Sequence, residues 1–457
     1  MSKQNKLITK QQRNGEVLLM IIVSLAGLAA FALYLSELNL LGNQMLLRKV
    51  SIIFLLCTIF VITGCVVYWC YANYANKGIR YAWRHYRITT SVEAALLGAN
   101  IYNISLGIFN RNKVANVPKV KLSFSSDLIT GKLKIKNNPE YDKKLESLRL
   151  SSALDNYVVE DRLLSGDHNW YEFKLINTKV NRQLEFSNYE RFFAESHNNW
   201  AEPLLFLDKF RRFLPISSAL IVGQTGSGKT YALETFALQM LTKPHPYDLY
   251  FADPKISEIS VLGNLINPKQ MAQTPEGIVN LLDTFVVELN RRQKIMHEKL
   301  QSNLGSTYDS CGLVPAVFIF DEYAAFQAEL SLYDKKTRDR ATAAVTQIVL
   351  KGRQLGCFIW VAMQKSDATT IKTQIRDNLP LKIVLGNAEP ETYVTTFGAS
   401  ADIPRQDFNL GEGVFTCPIR GIATRPRVCA IPKLDFNPIA VIKNSKRGLC
   451  NNPRSIR

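Results

Sequence analysis

The eight residues Gly223-Gln-Thr-Gly-Ser-Gly-Lys229-Thr230 constrain this chain more than any other feature. They fit GxxxxGK[ST] at every fixed position, and a chance match in a chain of this length is on the order of 1 in 100. The apolar run Ala219-Leu220-Ile221-Val222 enters the motif as a buried strand. Ala232, Phe236 and Met240 then fall on one helical stripe, with Leu233, Ala237 and Leu241 beside it. A strand that feeds a helix through such a loop is the building block of an α/β sheet. The glycines let backbone N–H groups form a nest around phosphate oxygens, and the helix N-terminus adds its positive end. Gly223, Gln224, Thr225, Gly226, Ser227, Gly228, Lys229 and Thr230 are thus expected to bind the phosphates of ATP. Lys229 would reach the β- and γ-phosphates, and the Thr230 hydroxyl would ligate Mg2+.

Such a site needs an acid at the tip of a neighbouring strand. Val317-Phe318-Ile319-Phe320 reads as a fully buried strand, and Asp321-Glu322 emerges at its carboxyl end, 92 positions after Lys229. Ligands sit at that end of open α/β sheets. Asp321 is assigned to the Mg2+ shell and Glu322 to the general base that polarises the attacking water. Tyr247 to Ala252, Cys357 to Met363 and Leu381 to Leu385 supply further apolar strands. Strands that alternate with helical stretches indicate a mostly parallel sheet covered on both faces.

Two stretches near the N-terminus, 17–35 and 50–76, carry no charge over lengths that can cross a hydrocarbon core of about 30 Å. Tyr34 closes the first; Tyr68, Trp69 and Tyr71 close the second, where amphipathic rings favour the headgroup level. Lys3, Lys6, Lys10 and Arg13 precede the pair, and Lys77, Arg80, Arg84 and Arg87 follow it, against only Glu37, Arg48 and Lys49 between. That bias places both ends of a two-pass membrane anchor in the cytoplasm. A cleaved signal peptide and a pair of buried core helices are the alternatives.

Residues 89–200 are expected to form a small mixed α/β domain. Val120 to Phe124, Lys132 to Lys136 and Trp170 to Ile176 alternate as half-buried strands do, and Tyr141 to Leu154 reads as a helix. Lysines 119, 121, 132, 134, 136, 143 and 144 crowd this region. They form either a solvated strand face or a contact with a phosphate backbone. Over the 457 residues, 56 Lys+Arg against 39 Asp+Glu give a net charge of +17, which favours a polyanionic partner, nucleic acid or acidic lipid. Eight cysteines without a CxxC argue against a disulfide scaffold or zinc ribbon.

The series GQTGSGKT, FADPK, ELNRRQKIM (Glu288 to Met296), VFIFDEY and GRQLGCFIWVAMQ resembles the motor domain of FtsK/SpoIIIE-type DNA translocases, over Pro203 to Ile431. Two departures stand out: Met363 replaces Thr in the Ala-Thr-Gln run, and Lys365-Ser366 stands where Arg-Pro is usual. The resemblance implies a RecA-like P-loop NTPase motor over 201–435 that assembles into a ring, commonly a homo-hexamer. Arg353 is then a candidate to reach a neighbour's γ-phosphate, or else a surface salt bridge. Gln364 is a candidate sensor of the nucleotide state, or a plain strand-end amide. With segment 1–16 in the cytoplasm, two spans, a small domain, the motor and a basic tail over 436–457, the layout is closest to FtsK-like coupling proteins of Gram-positive conjugative elements. The tail reads as a solubilising end or a weak phosphate contact; its twenty-two residues are too few for a winged helix. The resemblance implies a multi-pass cell-membrane protein that hydrolyses ATP to move DNA by sequence-independent backbone contacts, with a relaxase and conjugation channel proteins as partners. A chromosome-type translocase and an ATPase of protein secretion are the alternatives.

Overall fold

The computed structural model describes residues 8–38, 44–106, 113–197, 204–210, 214–367, 370–399, 401–404 and 406–444. It divides into two compact units, 1–180 and 181–457. The division falls before the expected boundary at 200, because Glu185–Phe186 pairs with Lys433–Leu434 and ties the 181–197 segment into the second unit.

In the first unit, helices α1 (Lys10–Glu37) and α2 (Gln44–Ala72) pack as a hairpin. Among the described residues these two are long and apolar enough to cross a membrane, and only 11 % of each apolar window is buried. A helix of a soluble core would be mostly covered. Small residues line the crossing, where the Ser51 hydroxyl donates to the Ala29 carbonyl at 2.8 Å. α2 ends at Ala72, short of the expected 76, and left-handed Tyr74 precedes a short 3-10 turn. Lys3 and Lys6 lie outside the described residues.

Helix α3 (Ile79–Gly98) then covers an antiparallel sheet of β1 (Val120–Phe124), β2 (Thr130–Lys136), β3 (Tyr157–Leu164) and β4 (Trp170–Asn177), in the order β1-β2-β4-β3. Tyr81, Ile88, Val92 and Leu96 pack with Leu122, Leu133, Ile135 and Phe173 as its core. The helix expected over 141–154 is confined to Asp142–Glu146, followed by a 3-10 turn at Ser151–Ala153. Leu148, Leu150 and Leu154 are still buried, so their apolar spacing reflects packing of an irregular connection.

The second unit is built on an eight-stranded sheet. Its strands are β5 (Ala219–Gly223), β6 (Asp248–Ala252), β7 (Met271–Ala272), β8 (Ala316–Phe320), β9 (Cys357–Met363), β10 (Leu381–Leu385), β11 (Glu412–Cys417) and β12 (Ala423–Ala430). The order is β7-β6-β8-β9-β5-β10-β11-β12; pairing is parallel as far as β10 and antiparallel beyond. The strands expected from apolar runs are present, and β9 and β10 have the expected limits. Every residue of β5, β8 and β9 is buried, since helices cover both faces. One core surrounds Phe236 and Trp360, and the other surrounds Phe285, Phe318 and Phe326. Of the basic tail, Pro438–Asn444 is helical, and residues 445–457 lie outside the described residues.

Candidate active site

Sheet register gathers the site. Val222 pairs with Met363, Phe320 with Val361, and Ala252 with Phe320. The phosphate loop, Asp321-Glu322, Gln364 and the Asp253-Pro254-Lys255 turn therefore all leave the sheet at its carboxyl edge. β9 lies between the strand that enters the loop and the strand that carries the acids.

The loop turns into helix α4 (Lys229–Leu241) through Gly228 at φ 98°, a conformation that glycine adopts at little cost and other residues do not. A Cβ on Gly223 would strike the Ser227 hydroxyl and lie 2.9 Å from the Leu385 carbonyl, so the loop hugs β10. Gly411 closes over it, its N–H donating to the Ser227 carbonyl at 3.2 Å. The Lys229 ammonium donates to the carbonyl of Gly223 at 2.7 Å. Burial pulls its pKa below the usual lysine range, against the opposing charges of Glu322 and Asp321. Thr230 is half-buried at the second position of the helix.

Asp321 is buried, and its carboxyl is pushed up to about 6, first by burial and then by the charges of Asp253 and Glu322. The Ser257 hydroxyl is 3.2 Å from it. Glu322 has left-handed backbone, φ 50° and ψ 54°, an uncommon conformation for a residue other than glycine. One of its oxygens, Oε2, accepts from Gln364 Nε2 at 2.9 Å and from the Lys255 ammonium. The other, Oε1, is buried with no hydrogen-bond partner among the described residues, as is Ser227 Oγ.

Four groups here were not singled out as site residues by sequence. Lys255 grips Glu322. Asp253 is fully buried and accepts from the N–H and hydroxyl groups of Ser257 and Ser260, which fixes the turn. Glu234, one turn after Thr230, has its carboxyl pushed up to about 7 by burial, Glu258 and Asp321. Gly411 comes from a distant connection. The available signal was the polar Asp-Pro-Lys directly after an apolar strand.

Arg353 is not brought to this edge. It precedes β9 at the opposite end of a seven-residue strand, about 20 Å away at ~3.3 Å per residue. There it lines a crevice with Ser217, Tyr308, Gln354 and Phe358.

The chain's own groups suit a triphosphate and a hard cation. They combine two orphaned polar atoms, a loop that a Cβ would fill, and carboxylate oxygens of the kind Mg2+ takes. Among the described residues no cluster of three or more His, Cys, Asp or Glu could hold a metal alone.

A phosphate loop before a helix, with an acid-tipped strand two places along a mostly parallel sheet, defines a P-loop NTPase fold. Residues 207–323 match the FtsK/SpoIIIE family, so the chain carries an FtsK/SpoIIIE domain. That match holds the phosphate loop, Asp321 and Glu322 and stops before Arg353 and Gln364. The chain is similar to the FtsK domain-containing protein YdcQ of Bacillus subtilis (strain 168), 31 % identical over 187 residues, 41 % of this chain and 38 % of that protein. It is also similar to the DNA translocase FtsK of Helicobacter pylori (strain J99), 26 % identical over 207 residues, 44 % of this chain and 24 % of the relative. The chain thus spans under two fifths of the length of these relatives. Among solved structures, the pCW3 conjugation coupling protein TcpA, in a monomer form with ATPgS, aligns with TM-score 0.48 and 17 % identity, over 78 % of this chain and 99 % of that one.

Proposed function

We propose that this protein is a membrane-anchored ATPase that moves DNA, and that it serves as the coupling protein delivering relaxase-bound DNA to a conjugative channel. The observation that carries the ATPase reading is the convergence of Lys229, Asp321, Glu322 and Gln364 at one sheet edge. The FtsK/SpoIIIE domain supports DNA as the cargo. The two apolar helices support the anchor, with both chain ends and the motor in the cytoplasm. The layout of hairpin, small unit and single motor supports the narrower conjugative role.

In this reading the loop from Gly223 to Thr230 would hold the phosphates, and Thr230 and Asp321 would hold Mg2+. The cation supplies neutralisation of phosphate charge. Lys255 and Gln364 fix Glu322 through Oε2, which leaves Oε1 to accept a proton from water. Its left-handed backbone sets the direction in which the carboxylate leaves the chain. Gln364 connects this carboxylate to the tip of β9, so a shift of that strand alters the base directly. Arg353 lies too far to serve its own site and would act on a neighbouring copy in a ring, a hexamer by family resemblance.

The test is the ATPase rate of the full chain in detergent micelles, with and without single- or double-stranded DNA. DNA is expected to stimulate the rate, and Lys229→Ala to abolish it. A rate that ignores both DNA and Lys229→Ala removes the reading. Stimulation by a secreted protein but not by DNA transfers it to export.

A further inference from the structure

One face of the four-stranded sheet carries more positive charge than its fold needs. Lys121, Lys132, Lys134, Lys136 and Lys174 share that face, since they alternate with buried Leu122, Leu133, Ile135, Phe173 and Leu175. Register sets Lys121 directly opposite Lys134, and Lys132 directly opposite Lys174. Like charges in such positions destabilise a sheet. Glu172 pairs with Lys132 and Lys134, and Asp161 with Lys174 at 3.3 Å, which offsets only part of the excess.

The second observation is where this face lies. Lys119, Lys121, Lys132 and Lys134 line a crevice whose other wall is the end of α2, with Tyr68 and Trp69. Trp69 packs against Trp83 and Tyr86 of α3, with ring centroids 6.4 and 6.0 Å away. Asn14 and Gly15, at the start of α1, complete the wall. Lysines beside aromatic rings at the ends of two apolar helices match the chemistry of the headgroup layer, where rings settle and anionic lipids attract cations. Glu93 also lines the crevice, and burial raises its carboxyl above the ordinary glutamate value.

We propose that this crevice binds the headgroup of an anionic phospholipid, with its phosphate among Lys121, Lys132 and Lys134. The proposal rests on the reading of the hairpin as a membrane anchor. The lysines then belong to the membrane surface rather than to the DNA path, and the small unit reports on lipid composition.

The experiment uses the full chain in mixed micelles and reads quenching of its tryptophans by brominated phosphatidylglycerol against brominated phosphatidylcholine. A parallel arm measures flotation with liposomes. The expected result is a preference of about tenfold or more for phosphatidylglycerol. Lys121→Gln/Lys132→Gln/Lys134→Gln is expected to erase it while the chain still floats and keeps its circular dichroism. If that triple variant does not fold, the exposed single change Lys121→Gln is expected to lower the preference about three- to fivefold. Equal affinity for the two lipids, or a preference untouched by both variants, overturns the proposal. Displacement of the lipid by inorganic phosphate at like concentration makes this a small-anion site and also overturns it. Displacement by single-stranded DNA assigns the face to nucleic acid, with the same consequence. A chain that floats with liposomes but shows no lipid preference sinks this proposal alone; a chain that stays out of liposomes sinks the anchor as well.

Discussion

The two sheets of this protein use charge in opposite ways. In the eight-stranded sheet the central strands are apolar throughout, and ionisable groups collect at one edge, where Lys229, Lys255 and Gln364 hold named partners and Glu322 Oε1 is left open. In the four-stranded sheet charge spreads over a whole face, with lysines set opposite lysines. The first arrangement concentrates a field at a point, as chemistry requires; the second spreads a field over an area, as a surface partner requires. The contrast teaches that a charge count says little until each group is placed on an edge or a face.

Three measurements can break or sharpen that contrast. The largest effect is expected at the edge. Glu322→Gln keeps the hydrogen bond from Gln364 but cannot take a proton, so turnover should fall by about 10²- to 10⁴-fold while nucleotide binding survives. Retained turnover would remove Glu322 from its role. Next comes the pH dependence of stability without divalent cation. Asp321 titrates near 6 in the folded chain, above its unfolded value of 3.8. The folded state therefore favours the protonated acid, and its stability should decline as pH rises from about 4 through about 6. The decline is on the order of 3 kcal/mol, taken as about two units at 1.36 kcal/mol each. Asp321→Asn should flatten that part of a denaturation series; an unchanged profile would show that burial does not strain this acid. The smallest effect is expected on the face. Glu172→Gln frees Lys132 and Lys134 and should raise the phosphatidylglycerol preference about two- to fivefold. A weakened preference would mean that Glu172 positions the lysines instead of competing for them.

Local order in the sequence carried the motor further than the rest. The glycine spacing of 223–228 and the apolar runs before Gly223 and Asp321 reflect steric and burial demands within a few residues. The strand limits at 357–363 and 381–385 were legible for the same reason. Lys255 and Asp253 were not, because their role depends on β6 lying beside β8, and strand order is set by tertiary packing. Likewise, Arg353 and Gln364 are near in sequence yet occupy opposite ends of β9. The apolar spacing over 141–154 suggested one helix, where packing instead buries a broken connection. The division at 180 was hidden because the two-residue pairing of Glu185–Phe186 with Lys433–Leu434 links segments far apart in sequence.

The left-handed backbone at Glu322 has a consequence for how such a motor can fail. A residue held there is strained by about 1–3 kcal/mol, and glycine alone would relieve the strain in full. The substitution that most relaxes the main chain is thus also one that deletes the carboxylate. Selection for a sturdier molecule and selection for a working one pull in contrary directions at this single position. A silent, well-folded copy lies one residue away from an active one, and it would pass unnoticed by any quality control that senses only misfolding.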